Sequence, residues 1–193
     1  MTSELRFTLF DTAIGCCGIA WNERGVAAVE LPGRDATATR SRLLRRNPNA
    51  CEGTPSPAAQ SAIDGIVALL GGEARDLSDV TVDLEGVSDF NRRVYAVARS
   101  IRPGATLSYG EIAERLGDRN LARDVAQALS QNTCPIVIPC HRVLAAGGKT
   151  GGFSAPGGVQ TKLRLLSIEG AQPEEGPMLF DRLPLATQRR RRA

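Results

Sequence analysis

The 193-residue chain contains one histidine, His141, and its five cysteines, at 16, 17, 51, 134 and 140, follow no metal-ligand spacing. That scarcity argues against a four-ligand zinc site and leaves no metal or cofactor to expect. No apolar run approaches the roughly eighteen residues that a transmembrane helix needs. Met1 to Phe10 also lacks the basic-then-apolar order of a signal peptide. The cysteines are odd in number, and the adjacent Cys16-Cys17 would be poor partners for each other, so no disulfide framework is implied. The expectation is a cytoplasmic, monomeric globular protein with free thiols and no membrane association.

Charge is present but unevenly spread. Residues 1–89 carry 8 Lys/Arg and 13 Asp/Glu, a balance of 8 − 13 = −5; residues 90–170 carry 11 and 5, a balance of +6; residues 171–193 carry 5 and 3, a balance of +2. A basic block in the second half suits a phosphate-rich partner, although surface basicity alone is often only solvation.

That block contains the most informative string, Asn132-Thr133-Cys134-Pro135-Ile136-Val137-Ile138-Pro139-Cys140-His141-Arg142-Val143. Two prolines bracket a β-branched run, which favours extended chain and forbids regular helix through Cys140. A cysteine attacks as thiolate, and an imidazole beside it is a common proton acceptor. A lone Cys-His pair is more often a buried apolar thiol with an incidental neighbour. Here the surrounding sequence argues otherwise.

Upstream, Ser108 to Gly117 reads as a short amphipathic helix, apolar at Ile112, Ala113 and Leu116, and Leu121 to Leu129 reads as a second helix across a polar turn. Such a pair is either a helix-turn-helix or a plain αα-corner. Downstream, Gly151 to Gly158 reads as a flexible loop, Val159 to Ile168 as a helix, and Glu169-Gly170 as its end. The first half reads as strands over Arg6–Phe10, Gly18–Trp21, Val26–Glu30 and Thr81–Leu84, with a helix from about Ala58 to Leu70.

In this order, Pro139-Cys140-His141-Arg142-Val143, the helix pair before it and Glu169-Gly170 after it resemble the O6-alkylguanine-DNA alkyltransferases, the methylated-DNA–protein-cysteine methyltransferases. The resemblance covers about residues 88–170 well and the N-terminal part loosely. It implies an α/β N-terminal scaffold domain over 1–86, a small mixed sheet with helix. A mainly α, winged-helix-like domain with a helix-turn-helix would follow over 87–170, and a disordered tail over 171–193. It implies direct-reversal repair: Cys140 accepts the alkyl group from O6-alkylguanine in double-stranded DNA, once per molecule, with O4-alkylthymine left open. His141 would take the thiol proton through a water, Glu169 would orient the imidazole, and Asn132 would hold the active-site turn. Tyr109 would donate its hydroxyl to the leaving base. Ala122, Arg123 and Ala126 would lie on a recognition helix in the minor groove, with Arg123 filling the space of the extruded nucleotide. Arg142 and Ser154 would also contact DNA or substrate.

Three features depart from the family pattern. Asp124 places a carboxylate on the DNA-facing helix, Phe153 stands where some relatives carry tyrosine, and Ala155-Pro156 lengthen the loop. Arg189–Arg192 would add nonspecific attraction to DNA or only a solvated tail. The competing functions are a non-enzymatic reader of alkylated DNA, a helix-turn-helix protein signalling by cysteine methylation, and a generic cysteine hydrolase.

Overall fold

The computed structural model describes residues 4–171. The expected tail, apart from Ala171, and its arginine run lie outside the described residues. Three strands open the chain as a meander: β1 (Arg6–Thr12), β2 (Gly15–Asn22) and β3 (Gly25–Glu30). A short β4 (Cys51–Glu52) adds parallel to β1, giving the order β3-β2-β1-β4. Gly25 is required at the β2–β3 turn: its φ is +132°, and a Cβ there would lie 2.5 Å from the Thr81 carbonyl oxygen.

Helix α1 (Ala36–Arg46) covers one face of this sheet and α2 (Pro57–Leu70) the other. Asp35 caps α1 by accepting from the Ala38 N–H at 2.7 Å. Serine at the cap, proline at the first position and a buried face of Ala59, Ala62, Ile63, Ile66, Leu69 and Leu70 make α2 the helix that sequence reading expected. Helix α1 was not expected, because only Thr39 and Leu43 of its eleven residues are buried and its pattern reads as solvated chain. The strand expected over Thr81–Leu84 reduces to one bridge, Val26 with Val82. The edge of β3 cannot extend it, since the Val29 N–H already donates to the Thr133 carbonyl at 2.9 Å.

The second half is mainly helical: α3 (Asp89–Arg99), α4 (Tyr109–Arg115), α5 (Ala122–Ser130) and α6 (Val159–Ile168), with a parallel two-stranded ladder of β5 (Leu107–Ser108) and β6 (Val143–Leu144). Helices α4 and α5, joined through a 3-10 turn at Arg119–Leu121, form the helix-turn-helix. Helix α3, also unexpected, supports it from behind: Tyr95 donates its hydroxyl to the Ala128 carbonyl at 3.0 Å. The largest core cluster is continuous across Gly86, joining Ile19, Val29 and Ile66 to Val94, Ile112, Val125 and Ile138. Among the described residues, no helix is long and apolar enough to cross a membrane.

Candidate active site

Two local devices bring Tyr109 and Cys140 together. Ser108 caps α4 in a reciprocal capping box with Glu111, which fixes where the helix begins and so where Tyr109 stands. The same Ser108 belongs to β5, whose partner β6 starts directly after the Cys140–Arg142 turn. The parallel ladder ties the start of α4 to the segment that follows the Cys140–Arg142 turn, and Tyr109 and Cys140 line the same cleft.

The turn that presents the thiol is cross-braced by Asn132. Its amide donates to the Ile138 carbonyl at 2.8 Å and to Cys140 Sγ at 3.3 Å, while its Oδ1 accepts from the Cys134 N–H at 2.9 Å. Within this brace Ile136 takes φ +75°, a left-handed conformation that costs a β-branched residue roughly 1–3 kcal/mol. The strain persists because Ile136 is 1% exposed and Cys134 and Ile138 on either side of it are held by Asn132 and by each other. Cys140 then opens a 3-10 turn, partly buried at the floor of a cleft of about 320 Å3.

The residues that follow the thiol, His141 and Arg142, enter a buried hydrogen-bonded network with Glu169. Glu169 caps the C-terminus of α6 with its side chain 2% exposed. It accepts from Arg142 Nε at 2.7 Å and Nη2 at 2.9 Å, and meets His141 Nε2 at 2.8 Å. Burial works to raise the Glu169 carboxyl, but the hydrogen bonds and charges of His141 and Arg142 prevail and hold it at about 2. An ionised carboxylate only accepts, so His141 Nε2 carries the hydrogen and Nδ1 keeps the lone pair. Burial lowers the His141 pKa further than Glu169 raises it, which leaves the ring neutral at rest. Nδ1 is buried and has no hydrogen-bond partner among the described residues.

The expectation for Arg142 is corrected here. It lies away from the surface: its side chain is 5% exposed, paired with Glu169 and donating to the Ile101 carbonyl at 2.5 Å. A 3-10 turn sends successive side chains in different directions, so Arg142 turns inward while Cys140 lines the cleft.

Lys162 was missed altogether. It is 0% exposed, donates to the Val143 carbonyl at 2.5 Å, and holds its ammonium 5.9 Å from the centroid of the Tyr109 ring. Burial drives its pKa down to about 8, against the pull of Cys140. Its spacing was the available signal: 162, 165, 166 and 169 share one helix face, three of them on a buried stripe.

Burial raises the Cys140 thiol; the Asn132 hydrogen bond and the positive charge of Lys162 oppose it. Burial, followed by the nearness of Cys140, also raises Tyr109, so its phenol stays protonated as a donor. Gly151, at φ +66°, lies so close that a Cβ would sit 3.3 Å from the Tyr109 ring. Phe153, Ser154, Ala155 and Pro156 continue the cleft wall, with Ser154 exposed.

On α5, Ala126 lines the cleft and Ala122 packs partly buried against the core. Arg123 and Asp124 are both exposed. Asp124 sits in the first turn of α5, where a carboxylate favours the helix N-terminus. All five cysteines are free.

A family model described as "6-O-methylguanine DNA methyltransferase, DNA binding domain" matches residues 89–171. A methylated-DNA–protein-cysteine methyltransferase of Mycobacterium bovis is 37% identical over 81% of this chain and 94% of its own length. One of Methanothermobacter thermautotrophicus is 36% identical over 81% of each. Among solved structures, Mycobacterium tuberculosis O6-methylguanine methyltransferase superposes with a TM-score of 0.67 at 31% identity, over 89% of this chain and 96% of that one. Mycobacterium tuberculosis OGT in complex with DNA gives 0.67 at 32% identity, over 86% and 92%. These relatives match along most of the chain, which belongs to the methylated-DNA–protein-cysteine methyltransferase family of DNA-repair enzymes.

Proposed function

We propose that this protein removes the alkyl group from O6-alkylguanine in duplex DNA by transferring it to Cys140, once per molecule. The observation that carries the reading is Cys140 in a cleft that also holds Tyr109, followed directly in the chain by His141 of the buried His141–Glu169–Arg142 network. The thiol proton passes through a water to His141 Nδ1, the ring's open acceptor, while ionised Glu169 stabilises the imidazolium that forms. Sγ attacks the alkyl carbon, the carbon–O6 bond breaks, and its electron pair stays on the base. Tyr109 gives the leaving base a proton, which His141 ultimately replaces. The balance is alkylguanine plus thiol going to guanine plus thioether.

The target atom lies inside the duplex stack, so the nucleotide must be extruded into the cleft. Ala122 and Ala126 let the α5 backbone approach the groove, and exposed Arg123 occupies the vacated space. Ser154 contacts the base at the rim. Action as a monomer in the cytoplasm belongs to the same proposal, and five free cysteines fit a reducing compartment.

The test is intact mass after mixing with duplex DNA bearing one O6-methylguanine. One equivalent of methyl is expected, in a single burst, on the peptide that contains Cys140. A thioether has no acidic proton and no good leaving group, so demethylation continuing past one equivalent would exclude this reading in favour of a hydrolytic or oxidative enzyme.

Arg123→Ala separates extrusion from chemistry. Repair of duplex DNA is expected to fall roughly 10–100-fold, the scale of one lost charged contact, while reaction with free O6-benzylguanine falls far less. Equal losses on both substrates would assign Arg123 to the pocket or the fold instead.

A further inference from the structure

The N-terminal half was read as scaffold, but it builds one wall of the reaction cleft. The cleft that holds Cys140, Tyr109 and Asn132 continues to Glu30 and Leu31 at the end of β3 and to Arg42 and Arg46 on α1. Five of the eight arginines and lysines in residues 1–89 fall between positions 34 and 46, inside a half whose balance is −5. This is a local basic spot on an acidic background.

Its geometry is built rather than incidental. The Glu30 side chain is 4% exposed and accepts from Arg42 Nε at 2.8 Å. Among the described residues that is the only hydrogen bond of Arg42, so both terminal nitrogens remain available in a side chain that is 30% exposed. Arg46 approaches Glu30 only loosely, at 3.7 Å, and is 52% exposed. Two guanidiniums against one carboxylate leave the wall with a net charge of +1. The wall is also registered to the thiol: the Val29 N–H donates to the Thr133 carbonyl, beside the Asn132 brace.

We propose that Arg46 and Arg42, the latter held in place by Glu30, form an anion subsite for a DNA backbone phosphate flanking the extruded nucleotide. The inference rests on the alkyl-transfer reading above. A nucleotide that rotates out of the stack enters base first, and its own phosphates stay at the cleft mouth. There a planar, permanently charged guanidinium fits two phosphate oxygens. Such a contact fixes the position of the strand and carries no sequence information. The DNA footprint thus spans both halves of the chain, with α5 on one side of the cleft and α1 on the other.

The test pairs a protein change with a DNA change. Arg46→Ala is the main variant, because its side chain is more than half exposed and its loss leaves Glu30 paired with Arg42. On O6-methylguanine duplex its second-order rate constant is expected to fall about tenfold, with a salt dependence shallower by about one. Replacing the flanking phosphates, one at a time, by neutral methylphosphonate is expected to cost the wild-type protein a similar factor at one linkage. At that linkage Arg46→Ala loses nothing more, and Arg46→Lys, which keeps the charge, recovers part of the rate. If every linkage costs the variant as much as the wild type, Arg46 meets no phosphate and the proposal is overturned. A loss confined to O6-carboxymethylguanine duplex would also overturn it, by assigning the subsite to an acidic adduct. Failure of the wild-type protein to label Cys140 on unmodified-backbone duplex would instead remove the alkyl-transfer reading itself.

Discussion

Cys140→Ser is expected to abolish repair while leaving binding to alkylated duplex intact. The substitution is nearly isosteric and touches none of the groups placed at the DNA surface, Arg123 among them. What it removes is the one acidic, polarisable nucleophile at the cleft floor. Burial already raises the Cys140 thiol, and the cleft compensates with the Asn132 amide at 3.3 Å and the nearby Lys162 charge. Neither can bring a serine hydroxyl, several units less acidic, into the reach of an imidazole base. Labelling with methylated duplex should give no mass gain, while a binding titration keeps its wild-type midpoint. Cys134 is no substitute: it is 0% exposed, its thiol donates to the Val26 carbonyl at 3.7 Å, and burial pushes its pKa to about 12. Methyl found on Cys134 would preserve the reaction and overturn the nucleophile.

The sequence carried the local chemistry of this site better than its three-dimensional walls. Prolines 135 and 139 dictate a non-helical presentation of Cys140 whatever surrounds it, and Ser108 with Glu111 writes the start of α4 into four residues. Glu169 was reachable only through the family, since nothing in a carboxylate at a helix end distinguishes a relay from a solvated charge. The φ of Ile136 was not legible, because strain of that kind is imposed by packing on both sides of the turn. Helix α1 escaped notice because it buries so little, and with it went the cleft wall formed by Glu30, Arg42 and Arg46. That wall joins residues about a hundred positions away from Cys140, a contact that no local period encodes. Arg142 shows the opposite error. The family resemblance implied a contact with DNA or substrate, whereas the buried guanidinium, with five donors, pairs with the Glu169 carboxylate.

His141→Ala is expected to lower the transfer rate near neutral pH by roughly two to four orders of magnitude, the span of a lost general base. The pH profile identifies the cause. In the wild-type protein burial keeps the imidazole pKa below its ordinary value, so the ring can accept a proton throughout the neutral range. The rate falls only on the acid side, as His141 protonates. Without His141 the raised thiol must ionise alone, so the rate should climb about tenfold per pH unit through neutrality. Glu169→Gln tests the same relay from its far end. Arg142 offers only donors, so it draws the Gln carbonyl oxygen toward itself and turns the amide N–H toward His141 Nε2. The imidazole must then place its hydrogen on Nδ1, which can no longer accept the thiol proton. A loss approaching the roughly 10,000-fold cost of a wrong tautomer in hydrolytic triads is expected. Thermal unfolding of the same variant separates this from instability, because Arg142 loses its buried counter-charge. An iodoacetamide profile for Cys140 that is unchanged by His141→Ala would remove the relay and leave Asn132 and Lys162 as the only activators of the thiol.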